Sequence, residues 1–385
     1  MKIALFIENY LAQETTAAIH CFILARGLSK LGHSILIVTT DPETDRLYEQ
    51  QGVVFCPARP SESVWGQDLI PGKAGPLQEA LDEFHPDLLH LHSTEHLGLA
   101  GLSYAREHKI PAVTTFHSLS NAFTGYGSNP ISRKVNASKS RSALSKILQG
   151  SRLLTTTSPL FQGLLKQHGF NYQLEGIPLC VDQRLFFYDR YDQNSGELLS
   201  KYSLSSSTKF FIYVGNLEHT ERIDELLSLW AQSVTQKDDV RLLIAGSGRD
   251  HAALVEKAKV LGINSQIIWL GKIPREELSR YFHLSTAFIS ASRSPNMKMA
   301  PLEAISSGLP ALLPKKCANA AFIKEGKNGF LYANAEELQQ LVQKLSTLDL
   351  HGLQLMKGLV SKSMEKLTEE MQAHIMDDLY RQILH

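Results

Sequence analysis

The chain has 385 residues, 43% of them hydrophobic and 20% charged, enough for two ordinary cores. Thirty-nine basic side chains balance 39 acidic ones, so no overall field draws the chain to nucleic acid, and none is expected as a partner. The four cysteines, Cys21, Cys56, Cys180 and Cys317, stand far apart with no CxxC pair, which argues against a disulfide framework or cysteine zinc site and fits a reducing compartment.

KIALFI follows the first methionine too closely for a signal-peptide core, and no stretch approaches the roughly 20 apolar residues of a membrane span. The expectation is a cytoplasmic protein, with peripheral contact at the inner face of a membrane left open. From there strand-like runs alternate with helical patterns. A helix around Ala17–Leu31 precedes HSILIVTT. VVFCPA, a helix around Pro76–Phe84, DLLHLH, a helix over Gly98–His108 and PAVTTFH follow. Helices to Gln149 and the strand RLLTTTS complete the series. A second series runs KFFIYVGN, RLLIAGSG, QIIWLGK, TAFISAS, LPALLP. Short apolar strands separated by helices are βαβ units, so each series predicts a doubly wound parallel sheet.

The polar stretch Asp182 to Thr208 reads as linker plus a short helix. Residues 1–180 and 181–360 are therefore expected to form two Rossmann-like domains facing a cleft. Residues 361–385, with an amphipathic helix from about Ser361 to Leu384, are expected to pack back on the first. Ligands of such sheets bind beyond the carboxyl ends of the strands, where His117, Gly215-Asn216, Gly246-Ser247-Gly248 and the loop around Pro295 fall.

Several of these residues carry two readings. Glu303 in LEAISSGLP is either a ligand contact or a helix-start carboxylate favoured by the macrodipole. Gly246-Ser247-Gly248 lets a backbone approach a base or phosphate, or is a plain strand-to-helix turn. His117 ends a strand, where a histidine serves either chemistry or packing. His90, His92, Glu95 and His96 have a superficial ligand spacing, in which i, i+2 on a strand followed by a turn could gather two ligands. From His108 to Leu174 no acidic residue occurs, while Arg133, Lys134, Lys139, Arg141 and Lys146 lie in NPISRKVNASKSRSALSKILQG. That segment is expected to be a helix with Val135, Leu144, Ile147 and Leu148 on an apolar face, suited to an anionic membrane surface.

LSKLGHSILIVTT, PDLLHLHSTEHLGLAG, VTTFHS, IPLCVD, YVGNLE, LLIAGSG and PLEAISSGLP occur in that order over most of the chain. Together they resemble the landmarks of retaining family-4 glycosyltransferases of GT-B fold, nearest in look to the branch that glucosylates diacylglycerol. The resemblance implies hexose transfer from a nucleotide sugar, without a metal or other cofactor, to a lipid or other membrane-associated acceptor. It places His117 beside the reacting sugar, Glu303 on the ribose hydroxyls and Gly246, Ser247 and Gly248 near the nucleotide. In the family's G-R-L-x-x-x-K pattern an Arg and a Lys neutralise the diphosphate. Here Asn216 and Glu221 stand in those places, with Arg222 one residue late. Pro295 replaces the first carboxylate of E-x7-E, Lys298 a glycine, and Thr15-Thr16 the first-loop glycine. Arg222, Lys298 and Arg249 are candidate replacement cations. A catalytically inactive homologue, acting as binding module or as subunit of an active glycosyltransferase partner, is the alternative. A phosphorylase is disfavoured, because no lysine-bearing pyridoxal motif is visible.

Overall fold

The computed structural model describes residues 1–10, 15–60, 67–69, 75–119, 122–123, 129–188, 195–202, 205, 207–235 and 239–384. The chain forms two compact units. The first comprises Met1–Cys180, Pro295–Met297 and Glu369–His385, the second Val181–Ser294 and Lys298–Thr368.

The first unit is built on strands β1 (Lys2–Phe6), β2 (Ser34–Asp41), β3 (Tyr48–Gln50), β4 (Val53–Pro60), β5 (Gln67–Leu69), β6 (Leu88–Leu91), β7 (Ala112–Phe116), β8 (Leu153–Thr156) and β9 (Glu175–Gly176). Their order is β3-β4-β2-β1-β6-β7-β8-β9, with β5 against β4. Pairing is parallel from β4 to β9, and only β3 and β5 run antiparallel to β4. The central strands are buried and start apolar on both faces, as a parallel sheet covered by helices requires. Helix α1 (Thr16–Lys30) lies on one face, capped by the Thr15 hydroxyl, which accepts the Ala18 N–H at 3.1 Å. Helices α2 (Gly75–Phe84), α3 (His96–His108), α4 (Pro130–Gly150) and α5 (Phe161–Gln167) complete the chain order up to Gln167.

In the second unit α6 (Ser195–Lys201) leads into β10 (Lys209–Val214), α7 (Ile223–Ser233), β11 (Val240–Ala245), α8 (His251–Val260), β12 (Ile267–Gly271), α9 (Leu278–Leu284), β13 (Ala287–Ile289), α10 (Met299–Ser306), β14 (Ala311–Pro314), β15 (Gly329–Tyr332), α11 (Ala335–Ser346) and α12 (Leu350–Lys362). The sheet order is β12-β11-β10-β13-β14-β15, parallel throughout.

The expected terminal helix is two helices. α12 stops at Lys362, and α13 spans Glu369–Leu384. The intervening backbone has another partner, since the Leu367 carbonyl accepts the Val181 N–H. α13 belongs to the first unit, where Glu369 pairs with Arg26 and Lys30 of α1. Gly27 lets the two helices meet, for a Cβ there would stand 2.9 Å from the Ala373 Cβ.

Candidate functional site

Side chains two apart on a strand share a face. On one face of the first sheet, Leu88 and Val113 give way to histidine and threonine toward the carboxyl ends of β6 and β7. His90 sits on β6, with His92 just beyond its end; Thr115 sits on β7, with His117 just beyond its end. β8 adds Thr155, in register with Thr115. The first polar row is closed. Tyr380 of α13 contacts His90 Nδ1 at 2.6 Å, His90 Nε2 contacts Thr115 Oγ1 at 2.6 Å, and Thr115 contacts Thr155 Oγ1 at 2.6 Å. Thr155 in turn donates to the Thr114 carbonyl. A carbonyl only accepts, so proton direction runs back along the chain: Thr115 donates to Thr155, His90 Nε2–H to Thr115, and Tyr380 O–H to His90 Nδ1.

The second row is open. His92 Nδ1 lies 3.1 Å from His117 Nε2, while His92 Nε2 and His117 Nδ1 are buried without a hydrogen-bond partner. His20 of α1 stands edge-on to both rings, at centroid distances of 5.5 and 4.9 Å, with neither nitrogen partnered. Burial lowers the His20 pKa to about 3. Burial first, then the neighbouring imidazoles, hold His90, His92 and His117 well below the usual histidine range. All four rings are therefore neutral at pH 7. Both nitrogens of His90 are engaged, Glu95 and His96 begin α3, and among the described residues no group of three or more His, Cys, Asp or Glu is placed to hold a metal ion. The sequence offered one missed signal, a histidine at His20 amid the apolar run of α1.

In the second unit the expected residues fall on the loops after β10, β11 and β13. Gly246 is packed by backbone: a Cβ there would sit 1.9 Å from the Gly215 carbonyl oxygen, and one at Gly248 2.3 Å from that of Leu217. The glycines are thus required by loop-on-loop contact. Ser247 is exposed, its carbonyl accepting the Leu217 N–H. Asn216 is exposed, and its carbonyl accepts the Tyr213 hydroxyl. Glu303, on α10, is buried, and Arg275 donates to its Oε1 from Nε at 3.1 Å and Nη2 at 2.5 Å. Burial raises the Glu303 pKa and Arg275 opposes the rise. Arg275, which also lies over the Phe186 ring, carried no signal in the sequence.

Of the candidate cations, Lys298 and Arg222 are paired, while Arg249 is exposed. Lys298 Nζ donates to Glu221 Oε1 at 2.5 Å, and the Asn319 side chain holds the Lys298 backbone at both N–H and C=O. Arg222, at φ 55°, and Arg293 share the Glu225 carboxylate. Three cations thus meet two carboxylates, a local excess of one positive charge.

The apolar face expected for the basic helix needs correction. Leu144, Ile147 and Leu148 of α4 are in the core of the first unit and face no surface. The exposed apolar residues are Ile131 and Val135 in its N-terminal half, 78% and 46% accessible, among exposed Arg133, Lys134 and Lys139. Arg141 donates to the His168 carbonyl and stacks on Phe170, so it belongs to its own unit, while Lys146 is exposed. Among the described residues no helix is long and apolar enough to cross a membrane.

Comparison with known proteins places these units. The family described as Glycosyltransferase Family 4 matches residues 17–184, and Glycosyl transferases group 1 matches residues 196–356. The alpha-monoglucosyldiacylglycerol synthase of Streptococcus pneumoniae is 24% identical over 98% of this chain and 86% of its own length. That of Acholeplasma laidlawii is 23% identical over 88% and 86%. Among solved structures, sucrose-phosphate synthase from Thermosynechococcus elongatus superposes with a TM-score of 0.77 at 18% identity, covering 100% of this chain and 99% of that one. Anabaena HepE, solved with UDP-glucose, gives 0.75 at 14%, covering 99% and 100%. With a family 4 match over the first unit, a group 1 match over most of the second, and two parallel-sheet units, the chain belongs to the family-4 glycosyltransferases of GT-B fold.

Proposed function

We propose that this glycosyltransferase moves a hexose from a nucleotide sugar to a lipid hydroxyl at an anionic membrane surface, with retention at the anomeric carbon. The observation that carries the reading is the likeness, across 98% of the chain, to a protein named for glucosylating diacylglycerol. The exposed Ile131 and Val135, set among Arg133, Lys134 and Lys139 in the first unit, support the membrane side. Two apolar side chains entering the headgroup region and three cations at about 1 kcal/mol each suit an anionic bilayer.

In the second unit Glu303 has its Oε1 neutralised by Arg275 and keeps Oε2 to accept ribose hydroxyls. The network of Lys298, Arg222 and Arg293 supplies the excess positive charge that stabilises a departing diphosphate. In the first unit His117 acts as a neutral hydrogen-bonding group beside the reacting sugar, since burial keeps its proton affinity low. No metal or other cofactor enters this scheme.

Transfer assays with vesicles of diacylglycerol and anionic lipid, run against a panel of nucleotide hexoses including UDP-glucose, test the reading. It predicts one donor giving an alpha-linked glycolipid, and flotation with the vesicles that is lost in the Ile131→Ser, Arg133→Glu, Lys134→Glu variant. Folded protein that binds no donor by calorimetry refutes the proposal. Unchanged flotation of the triple variant refutes its membrane half.

A further inference from the structure

The open polar row of the first unit has a property that the closed row lacks. Its ring-to-ring hydrogen bond, His92 Nδ1 to His117 Nε2 at 3.1 Å, needs one proton. The remaining nitrogens, His92 Nε2 and His117 Nδ1, are buried and unpartnered. The groups facing these rings are His20 from α1 and His90 from β6, with Tyr380 of α13 behind His90. A neutral imidazole carries its proton on one nitrogen only. If His92 donates from Nδ1, its Nε2 is bare, and His117, accepting at Nε2, must carry its proton on Nδ1. If His117 donates from Nε2, its Nδ1 is bare and His92 is protonated on Nε2. Both rings therefore hold the same tautomer, either Nδ1–H in both or Nε2–H in both.

We infer that His92 is a positioning residue that couples its tautomer to that of His117, so that His117 Nδ1, buried here and uncovered when a sugar donor binds, meets the donor as an N–H donor or as a bare acceptor according to the ligand oxygen it faces. A ligand oxygen that only accepts, such as one on a diphosphate, selects Nδ1–H in both rings. Going from the Nε2–H pair to the Nδ1–H pair, the shared proton crosses from His117 Nε2 to His92 Nδ1. His92 Nε2 gives one proton to water and His117 Nδ1 takes one from water, so no net charge enters the buried cluster. His90 cannot join the exchange, because the hydrogen-bonded chain ending at the Thr114 carbonyl fixes its proton on Nε2. The part concerning the sugar donor rests on the function proposed above; the coupling itself rests on geometry alone.

Nitrogen-15 NMR of the full chain with labelled histidine reads each tautomer directly. At pH 7.5 without ligand, His92 and His117 are expected to match, with His90 protonated on Nε2 as internal reference. Saturating UDP-glucose, the probe donor, is expected to move both rings to Nδ1–H. Opposite tautomers in the two rings, or an imidazolium in either, overturn the coupling. His92→Phe is expected to free the His117 tautomer and lower kcat by roughly 10-fold or more with KM little changed. His92→Asn, which keeps an amide donor and acceptor near the Nδ1 position, is expected to restore most of it. If His92→Phe does not fold, the wild-type spectra and His92→Asn decide alone. Matched tautomers in a protein that binds no nucleotide sugar refute the transferase reading and support the coupling. Donor binding with unmatched tautomers does the reverse.

Discussion

His20→Leu tests the buried histidine cluster through stability. The His20 ring is buried, has no hydrogen-bond partner and has a pKa lowered from 6.5 to about 3. Folded, it binds fewer protons than unfolded, so stability linked to it rises with pH. The contribution is whole above about pH 6.5, and its loss grows as pH falls toward 3. At pH 5 the loss is about 2 kcal/mol, roughly a 30-fold change in the opening equilibrium. Leucine does not titrate and removes two unpaired buried nitrogens, so at pH 7.5 the variant should match wild type or exceed it by about 1 kcal/mol. Hydrogen exchange of peptides covering α1 and β6, corrected for intrinsic rates, reads the first unit separately from the second. Wild type should lose about 30-fold more protection than His20→Leu between pH 7.5 and pH 5. An equal loss in both proteins would mean that the ring is hydrated and accessible to protons, and would refute the reasoning.

Arg275→Ala leaves the Glu303 carboxylate buried without its cation and should cost about 3–5 kcal/mol, whereas Arg275→Met with Glu303→Met should recover most of it in chemical denaturation. Gly246→Ala forces a Cβ against the Gly215 carbonyl at φ 150° and should cost at least about 2 kcal/mol, seen as a lowered Tm. A variant as stable as wild type would show that the loops yield freely. Lys357 is buried, donates to the His283 carbonyl, and has its pKa lowered by burial from 10.5 to about 7. Its penalty grows as pH falls from about 10.5 to 7 and is constant below. Lys357→Met should therefore raise Tm at pH 7, with the advantage fading by pH 10. A gain that does not change with pH would refute charge burial as its cause.

The sheets were legible because every central strand is an apolar run bounded by turns, and alternation with helices left parallel pairing as the economical outcome. β15, over GFLY, escaped because four residues carry little periodicity. The terminal helix is shorter than expected, and its start has a local mark that was passed over: Thr368 stands before Glu369 and Glu370, the acidic first turn of α13. The apolar stripe of α4 was misassigned for another reason: spacing shows that Leu144, Ile147 and Leu148 share a face, not which partner covers it. The candidate residues were legible in the sequence; their partners were not. Gly246 and His117 lie just beyond strand ends, whereas Glu303 falls in the second turn of α10, past the first-turn position that the macrodipole reading needs; the ion pair to Arg275 and the ring contact to His92 are tertiary facts.

The charge departures sharpen the point. Taken singly along the chain, Glu221 and Lys298 read as two defects in one anion site, an acid where a base belongs and a base where a glycine belongs. In three dimensions they are the two halves of one ion pair, 77 residues apart. Glu225 does the same for Arg222 and Arg293. A cation that is paired before ligand arrives is positioned without side-chain entropy left to lose, and the partly exposed Lys298 ammonium retains N–H bonds beyond the one given to Glu221. Loss of the family's residues at these positions therefore does not by itself equal loss of positive charge, since Arg222, Arg293 and Lys298 outnumber the two carboxylates, Glu221 and Glu225, with which they pair.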